Sequence, residues 1–458
     1  MSNQSIGSSL PALQEIRETL KTTAFNSIRE ALPDKAILQA CRAVGLSWRE
    51  RLLSPVVVVL HMVVAGLWPE DSFAASFQLL WAHLHSLLPR MRRKAPPSGS
   101  VAKARGRLPL ELWRHLFQWL SSQLQARAEP LAGWRGHRVV LLDGTTVSMP
   151  DNPALHRAFC ANDGKRPGKF PLARVVTAVL AHTMTVIDYR MGRYDDSEIA
   201  LTWSLLESLR PGDLVVADRL FAAAPYYLRY RRQGLHFLTR MNGSVKLKRL
   251  RDPRRLSDGT LVGRMRVDRR CRHAQAWMPS WVEVRILQAQ VRIRGKRTTL
   301  YLVTSLLDEV AYPAEELLAL YRRRWSVETA IEQTKTKMSA DVLRSRDEQG
   351  VRKELAVRLM AYNIVRSVML EAALAEGLDP CRLSFVQAVR TLVAFAPRMA
   401  TAPVWQLPEI YDAMLREIAS HTVPWRPDRL EPRMIKREKK HYPSLKTTRE
   451  HWRQNLAA

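Results

Sequence analysis

One carboxylate, two cationic side chains and a phenol are spaced so that they can share one face of a helix. Tyr321, Arg324, Glu328 and Lys335 fall within an arc of roughly 60° when each helical residue turns by about 100°. Glu328 could hold a hard cation through oxygen, while the two cations neutralise phosphate and the phenol donates a hydrogen bond. An exposed helix with an ion pair between Arg324 and Glu328 would have the same spacing. The pattern therefore predicts either a site for metal-assisted chemistry on phosphates or a solvated helix face.

Two aspartates stand where carboxylates could approach this helix. One glutamate cannot hold two metal ions, and Asp143 and Asp218 each directly follow an apolar run of strand length. In open α/β sheets, ligands gather where strands end. Asp213, at the start of its strand, and Asp188, at the end of a weaker run, rank below them. The combination predicts Asp143, Asp218 and Glu328 as catalytic residues and metal ligands, although any single aspartate could be a turn or cap residue.

These segments resemble a known family. The helical segment matches Y-x2-R-x3-E-x6-K, which resembles the signature of the insertion-sequence-four family of bacterial DDE transposases. The sequence LDGTT at 142–146 is similar to the stretch around that family's first catalytic aspartate, and VADRLF at 216–221 to that around the second. The resemblance covers most of residues 24–450. Relatives carry a second basic residue four positions after the glutamate, where this chain has Glu332.

The resemblance implies an enzyme that binds element ends, cleaves DNA by metal-dependent phosphoryl transfer and joins the 3′-hydroxyl ends to target DNA. It also implies a hairpin intermediate, with Tyr321, Arg324 and Lys335 as DNA-binding residues. The expected cofactor is Mg²⁺, as two ions held by the three carboxylates, and Mn²⁺ should substitute. The expected partners are double-stranded DNA, as terminal inverted repeats and as target, and a second copy of the chain that assembles on DNA ends.

The elements that must position these residues follow from changes of pattern along the chain. Apolar runs of strand length alternate with helical stretches in 139–239, which predicts a mixed α/β sheet with helices on its faces. Residues 246–308 tend to alternate, which predicts an inserted β-rich unit. Long helical stretches are predicted over 313–338 and 352–376. With the resemblance, we predict a ribonuclease-H-like catalytic core with a β-rich insertion, preceded by an α-helical N-terminal DNA-binding domain and followed by a helical, basic C-terminal region.

The predicted division of the chain has six parts. They are an N-terminal helical DNA-binding domain (1–95), a basic linker and helix (96–135), the first part of the catalytic core (136–245), the β-rich insertion (246–308), the second part of the core with the Glu328 helix (309–376), and a C-terminal helical region with a basic tail (377–458). The linker prediction rests on the stretch 89–107, which is rich in Arg and Lys and contains no acidic residue. The apolar run 52–68 is predicted to be a buried helix, since it is shorter than about 20 residues.

Charge and composition limit the partners. The 458 residues include 72 Lys and Arg against 43 acidic residues, a net charge of +29, which favours a polyanion and nucleic acid first. A generally basic surface, or one that binds ribosomes or anionic membrane, would have the same composition. The first ten residues show no secretory pattern, and the four cysteines are far apart without zinc-site spacing. A cytoplasmic protein with no membrane partner is therefore expected.

Two other functions fit part of the pattern. A structure-selective DNA nuclease of the ribonuclease-H-like class would use the same metal chemistry without joining strands. A non-catalytic DNA-binding regulator would need only the charge and the helices. Three carboxylates beside a phosphate-binding helix face distinguish a transposase from the regulator, and strand joining distinguishes it from the nuclease.

Overall fold

The computed structural model describes most of the chain, namely residues 26–49, 51–67, 72–87, 93–131, 133–159, 170–241, 247, 250–269, 277–293, 296–423 and 454. The chain divides into two compact units, one of residues 1–124 and 333–425 and the other of residues 125–332 and 426–458. The predicted basic tail after Trp425 and the first part of the predicted linker, 89–92, lie outside the described residues.

The α-helices of the described residues are numbered in chain order. They are α1 (Asn26–Ala31), α2 (Asp34–Ala43), α3 (Pro55–Leu67), α4 (Phe73–Leu87), α5 (Ser98–Arg107), α6 (Leu110–Ala128), α7 (Pro153–Phe159), α8 (Glu198–Leu206), α9 (Ala224–Arg232), α10 (Ala314–Arg322), α11 (Trp325–Glu332), α12 (Glu348–Ala375), α13 (Phe385–Thr401) and α14 (Leu407–Ser420). Helices α1–α5 and α12–α14 belong to the first unit, and α7–α11 to the second. The predicted helix over 352–376 is thus confirmed as α12.

The core of the first unit contains helix α3, in which every residue is buried. It packs against α12 so closely that a Cβ atom on Gly66 would lie 3.0 Å from the Cβ of Ala361. The prediction of a buried helix in 52–68 is therefore confirmed. In the part of the chain that the structure describes, no helix is long and apolar enough to cross a membrane.

Part of the predicted basic linker is folded. Residues 98–107 form α5, and its Val101 and Ala104 are buried. Val101 belongs to the same apolar cluster as Phe77 and Trp81 of α4. The sequence showed charge without acidic residues, but the two apolar residues three positions apart are sufficient to hold one face of this helix on its neighbour.

The second unit is built on one nine-stranded sheet. Its strands are β1 (Val139–Ser148), β2 (Leu172–Leu180), β3 (Val186–Arg193), β4 (Leu214–Ala217), β5 (His236–Arg240), β6 (Arg251–Arg255), β7 (Leu261–Arg266), β8 (Trp281–Ile293) and β9 (Lys296–Thr304). The spatial order is β3-β2-β1-β4-β5-β9-β8-β7-β6. The pairs β1–β4 and β4–β5 are parallel and all others are antiparallel. The predicted mixed α/β sheet is therefore confirmed.

The predicted β-rich insertion continues this sheet. Strand β9 pairs with β5, with Leu238 opposite Thr304, and the remaining strands of 246–308 follow outward. The alternation seen in the sequence predicts strands, but it does not say which edge they join, because that depends on pairings between residues far apart in the chain.

One face of β1 packs on two helices. Val140 and Leu142 pack in one apolar cluster with side chains of α8 and α9. Because successive strand residues point to opposite faces, Asp143 points to the other face. Helix α11 packs on β1 as well.

The prediction of one continuous helix over 313–338 is wrong. Helix α10 ends at Arg322 and α11 begins at Trp325, and the amides of Arg324 and Val327 bond to carbonyls three residues back, of Tyr321 and Arg324. Such tight turns break the regular 100° progression, so the helical arc inferred above does not apply. A π-helical turn, Gln333–Lys337, follows α11 and belongs to the first unit.

Candidate active site

The carboxyl ends of β4 and β5 lie beside β1, which runs parallel to β4 and continues to Ser148. In β1 and β4, Leu141 pairs with Val216, so continuing this register places Asp143 level with Asp218. In β4 and β5, Ala217 pairs with Thr239, so the same continuation places Asp218 level with Arg240. Carboxyl ends of parallel strands are the usual place for a ligand site in such sheets. The register thus groups two of the predicted carboxylates with a cation.

Asp143 lies inside β1, and not directly after a strand as predicted, because β1 continues to Ser148 in its pairing with β2. Its Oδ1 accepts a hydrogen bond of 2.9 Å from the amide of Gly144, and its carbonyl accepts one of 3.4 Å from Thr177 on β2. The side chain is half-buried. The backbone therefore fixes the direction of the Asp143 carboxylate. A carboxylate that acts at a site has to be fixed in this way.

Asp218 caps the single helical turn that follows β4. Its Oδ1 accepts a hydrogen bond of 2.7 Å from the amide of Leu220. A cap role and a site role are compatible here, because the cap bond uses Oδ1 and a carboxylate has a second oxygen that can accept or bind a cation.

Glu328 is connected to the other motif residues through one arginine. The Nη2 of Arg324 lies 3.0 Å from Glu328 Oε1, and the guanidinium also donates to the hydroxyl of Tyr321. The Arg324 side chain is 10% exposed and that of Glu328 43%. The structure therefore brings Tyr321, Arg324 and Glu328 together although the helix between them is broken. Lys335 lies half-buried in the π-helical turn of the first unit.

The electrostatics link these residues to the strand ends. The pKa of Asp143 is raised from 3.8 to about 6: burial raises it most, the hydrogen bond from Gly144 and the charge of Arg324 lower it, and the charges of Glu328 and Asp218 raise it. Burial also raises the pKa of Tyr321 to about 12, with opposing effects from Arg324 and Asp218. The three carboxylates are thus within electrostatic range of one another. Mutual repulsion of this kind is relieved by added positive charge.

The donor set fits Mg²⁺ in chemical type, since all three predicted ligands are carboxylates and hard cations prefer oxygen. In the described residues, no three His, Cys, Asp or Glu side chains converge into a complete metal-binding group. Glu328 is directed to Arg324, and Asp218 to the amide of Leu220. The three carboxylates therefore have the right donor atoms for a hard cation, and each has a hydrogen-bond or ion-pair partner of its own.

Asp213 and Asp188, which ranked below the other aspartates, are both engaged in ion pairs. Asp213 Oδ1 lies 2.8 Å from Nε of Arg138, and its other oxygen also pairs with that guanidinium. Asp188 lies within β3, where Oδ2 is 2.6 Å from Nη1 of Arg190. Both carboxylates are buried and satisfied by these partners.

Two residues of this region were missed by reasoning from the sequence. Arg240 ends β5 beside Asp218, and its charge lowers the pKa of Tyr321. Glu198 begins α8, and the charge of Asp218 raises its pKa after the larger effects of burial, which raises it, and of Arg174, which lowers it. The strand-end rule that selected the aspartates would also have selected Arg240. No local pattern marks Glu198.

The raised pKa of Asp143 predicts a stability effect in the metal-free protein. Between the unfolded value near 3.8 and about 6, the folded state binds more protons, so stability falls as the pH rises. Above pH about 6 the ionised carboxylate costs up to about 3 kcal/mol. We expect Asp143→Asn to raise Tm by roughly 5 °C near pH 8 and not near pH 4. Mg²⁺ should stabilise the parent protein and not the variant.

Thermal unfolding at several pH values, with and without Mg²⁺, checks this expectation. Asp195→Asn is the matched control, because Asp195 is exposed and outside the site. A variant that melts below the parent protein near pH 8 would contradict it.

The chain is similar to known transposases. Residues 134–364 match the family model described as "Transposase DDE domain". The chain is 26% identical over 373 residues to "Transposase InsG for insertion sequence element IS4" of Escherichia coli (strain K12), covering 79% of this chain and 81% of that protein. A solved structure, the cryo-EM structure of the piggyBac transposase synaptic complex with hairpin DNA, is similar with a TM-score of 0.41 and 11% identity over 88% of this chain and 85% of that one.

Proposed function

Because this chain belongs to the DDE transposase family, we propose that Asp143, Asp218 and Glu328 are the catalytic carboxylates of an enzyme that cleaves DNA and transfers strands. The observation that carries this assignment is the register that sets Asp143 of β1 level with Asp218 after β4, with Glu328 near enough for its charge to raise the pKa of Asp143. Held by these residues, two Mg²⁺ ions, or Mn²⁺ in their place, would activate the attacking oxygen and stabilise the leaving oxygen of the phosphodiester. A cytoplasmic location follows from action on DNA.

The chain's own cations would bind the DNA strand. Arg324 is already aligned by Tyr321 and Glu328, and a planar guanidinium suits phosphate oxygens. Arg240 beside Asp218 would add a second phosphate contact. Lys335 completes the motif and is proposed as a third. We propose that these contacts bind the DNA strand that folds back into a hairpin.

The fold supports a ribonuclease-H-like core. Three antiparallel strands, β3, β2 and β1, are followed in space by β4 and β5, both parallel to β1, and helices cover the sheet. With this core the proposed β-rich insertion comprises the strands of 246–308 that extend the same sheet.

A basic cavity in the N-terminal helices supports the proposed DNA-binding role of that region. The cavity has a volume of about 380 Å³, and its lining includes Trp48, Arg49, Arg51 and Arg107. The three arginines are exposed. Cations beside an aromatic ring suit a nucleic-acid backbone and an unstacked base.

The function is tested with purified protein, DNA that carries the native element ends and Mg²⁺. Nicked ends, hairpins and products joined to a target duplex are expected on gels. Cleavage without joining would identify a structure-selective nuclease instead. Binding without cleavage would identify a DNA-binding regulator.

Assembly is expected to depend on DNA. Two ends must be cut and joined to one target, and a single chain has one such site, so the active complex is expected to be a two-fold dimer. A net charge of +29 makes free protomers repel each other, and DNA supplies the opposite charge. Light scattering should therefore find a monomer alone and a dimer with short end duplexes. A stable dimer without DNA, or a 1:1 complex that completes joining, would contradict this.

A further inference from the structure

The carboxylate of Glu198 lies against the backbone of Gly144, the residue that follows Asp143. A Cβ atom built on Gly144 would lie 2.0 Å from Glu198 Oε1 and 2.3 Å from its Cδ. No side chain therefore fits at position 144 while Glu198 keeps its place. Gly144 belongs to the face of β1 that packs on α8, so Glu198 reaches this strand from the face opposite to the Asp143 side chain.

Glu198 is held in this position from two sides. Nη1 of Arg174 on β2 lies 3.4 Å from Glu198 Oε2, and Nη2 of the same arginine donates to the carbonyl of Tyr194 at 3.1 Å. Glu198 is also the first residue of α8, where the helix dipole favours a carboxylate. The Glu198 side chain is 19% exposed and that of Arg174 27%, so an ion pair of this kind contributes little to stability by itself.

Gly144, which Glu198 lies against, also orients Asp143. The amide of Gly144 donates to Asp143 Oδ1 at 2.9 Å. Any shift of Gly144 therefore moves the donor that fixes this carboxylate. Burial raises the pKa of Glu198 and the charge of Asp218 adds to this effect, so Glu198 is within electrostatic range of the second proposed carboxylate.

We propose that Glu198 is a positioning residue of the active site: its carboxylate, seated on Gly144 and held by Arg174, fixes the backbone that orients Asp143. This inference rests on the proposed catalytic role of Asp143. Glu198 acts through Gly144 and does not itself touch the DNA or hold the cation.

The test is a double-mutant cycle between Glu198 and Gly144, measured on DNA with native element ends. Glu198→Ala removes the seated carboxylate, and Gly144→Ala pushes it away, so each alone is expected to slow cleavage by roughly 10- to 100-fold. With the carboxylate removed there is room for a methyl group at 144. The variant with both changes should therefore be no slower than Glu198→Ala alone.

Glu198→Gln distinguishes position from charge. Glutamine keeps the shape of the seated group and can still accept from Arg174, so this variant is expected to cleave within a few-fold of the parent rate. End binding, measured by gel shift, and Tm should stay unchanged in all four variants. Glu207→Ala, an exposed glutamate at the other end of α8, is the matched control and should change neither rate nor binding.

Three outcomes would overturn the proposal: Glu198→Ala with a normal rate, Glu198→Gln as slow as Glu198→Ala, or rate losses that multiply in the double variant. Gly144→Ala keeps the test valid if Glu198→Ala does not fold. If the parent protein neither cleaves nor joins any end DNA, the proposed function itself fails. If the parent protein cleaves and the Glu198 variants do so equally well, only this inference fails.

Discussion

Replacing Asp143 or Asp218 by Asn, or Glu328 by Gln, should abolish DNA cleavage while leaving binding to element ends largely intact. Each change removes one negative charge and keeps the shape of the side chain, so the loss falls on cation binding rather than on packing. Without one of the three carboxylates, a cation is no longer held against the phosphodiester. The cleavage rate should therefore fall by roughly 10³-fold or more, which corresponds to about 4 kcal/mol in the activation free energy.

Cleavage in Mg²⁺ and gel shifts with end duplexes measure the two properties separately. Asp195→Asn and Glu207→Gln remove one charge each at exposed positions of the same unit and serve as controls. A near-normal rate for any of the three variants would remove that residue from the proposed site. Loss of end binding together with cleavage would show that the change acts on folding or on DNA affinity instead.

Arg324→Ala should lower the cleavage rate by roughly 10²- to 10³-fold, the loss typical of removing a preorganised donor from a site. Arg324 is buried, and its guanidinium bonds both Tyr321 and Glu328. Its removal takes away a phosphate-binding cation and the group that directs Glu328. Arg324→Lys should recover only part of the rate, because a lysine ammonium cannot reproduce the planar fork.

Arg322→Ala is the matched control for this change, since Arg322 is exposed at the end of α10 and its loss changes the net charge equally. Single-turnover cleavage at saturating protein separates the rate of chemistry from DNA affinity. Equal rates for Arg322→Ala and Arg324→Ala would show that Arg324 acts only through general charge.

Local patterns in the sequence determined the elements on which the site is built. The run Leu214–Ala217 consists of four apolar residues and forms a fully buried strand with those bounds, which put Asp218 at its end. The run 139–142 likewise forms the start of β1, although that strand continues to Ser148 and includes Asp143. Burial of a strand on both faces requires continuous apolar residues, so a few neighbouring positions suffice to identify it. The buried helix α3 was recognisable for the same reason.

Tertiary structure decided where the helical segment breaks. The turn at Arg323 and Arg324 interrupts a sequence that is helical by periodicity, while Arg324 and Glu328 still form the i,i+4 pair that their spacing allows. Whether a helix continues depends on what its faces pack against, which local propensity does not contain.

The contacts around Asp143 are the clearest example of what local sequence patterns do not predict. Glu198 is 54 positions away from Gly144, on a different element, and it reaches the site only because β1, β2 and α8 pack in one arrangement. The strands of 246–308 were recognisable by alternation, yet their attachment to β5 depends on pairing between Leu238 and Thr304. Such contacts arise from pairing and packing between distant segments, so no window of neighbouring residues specifies them.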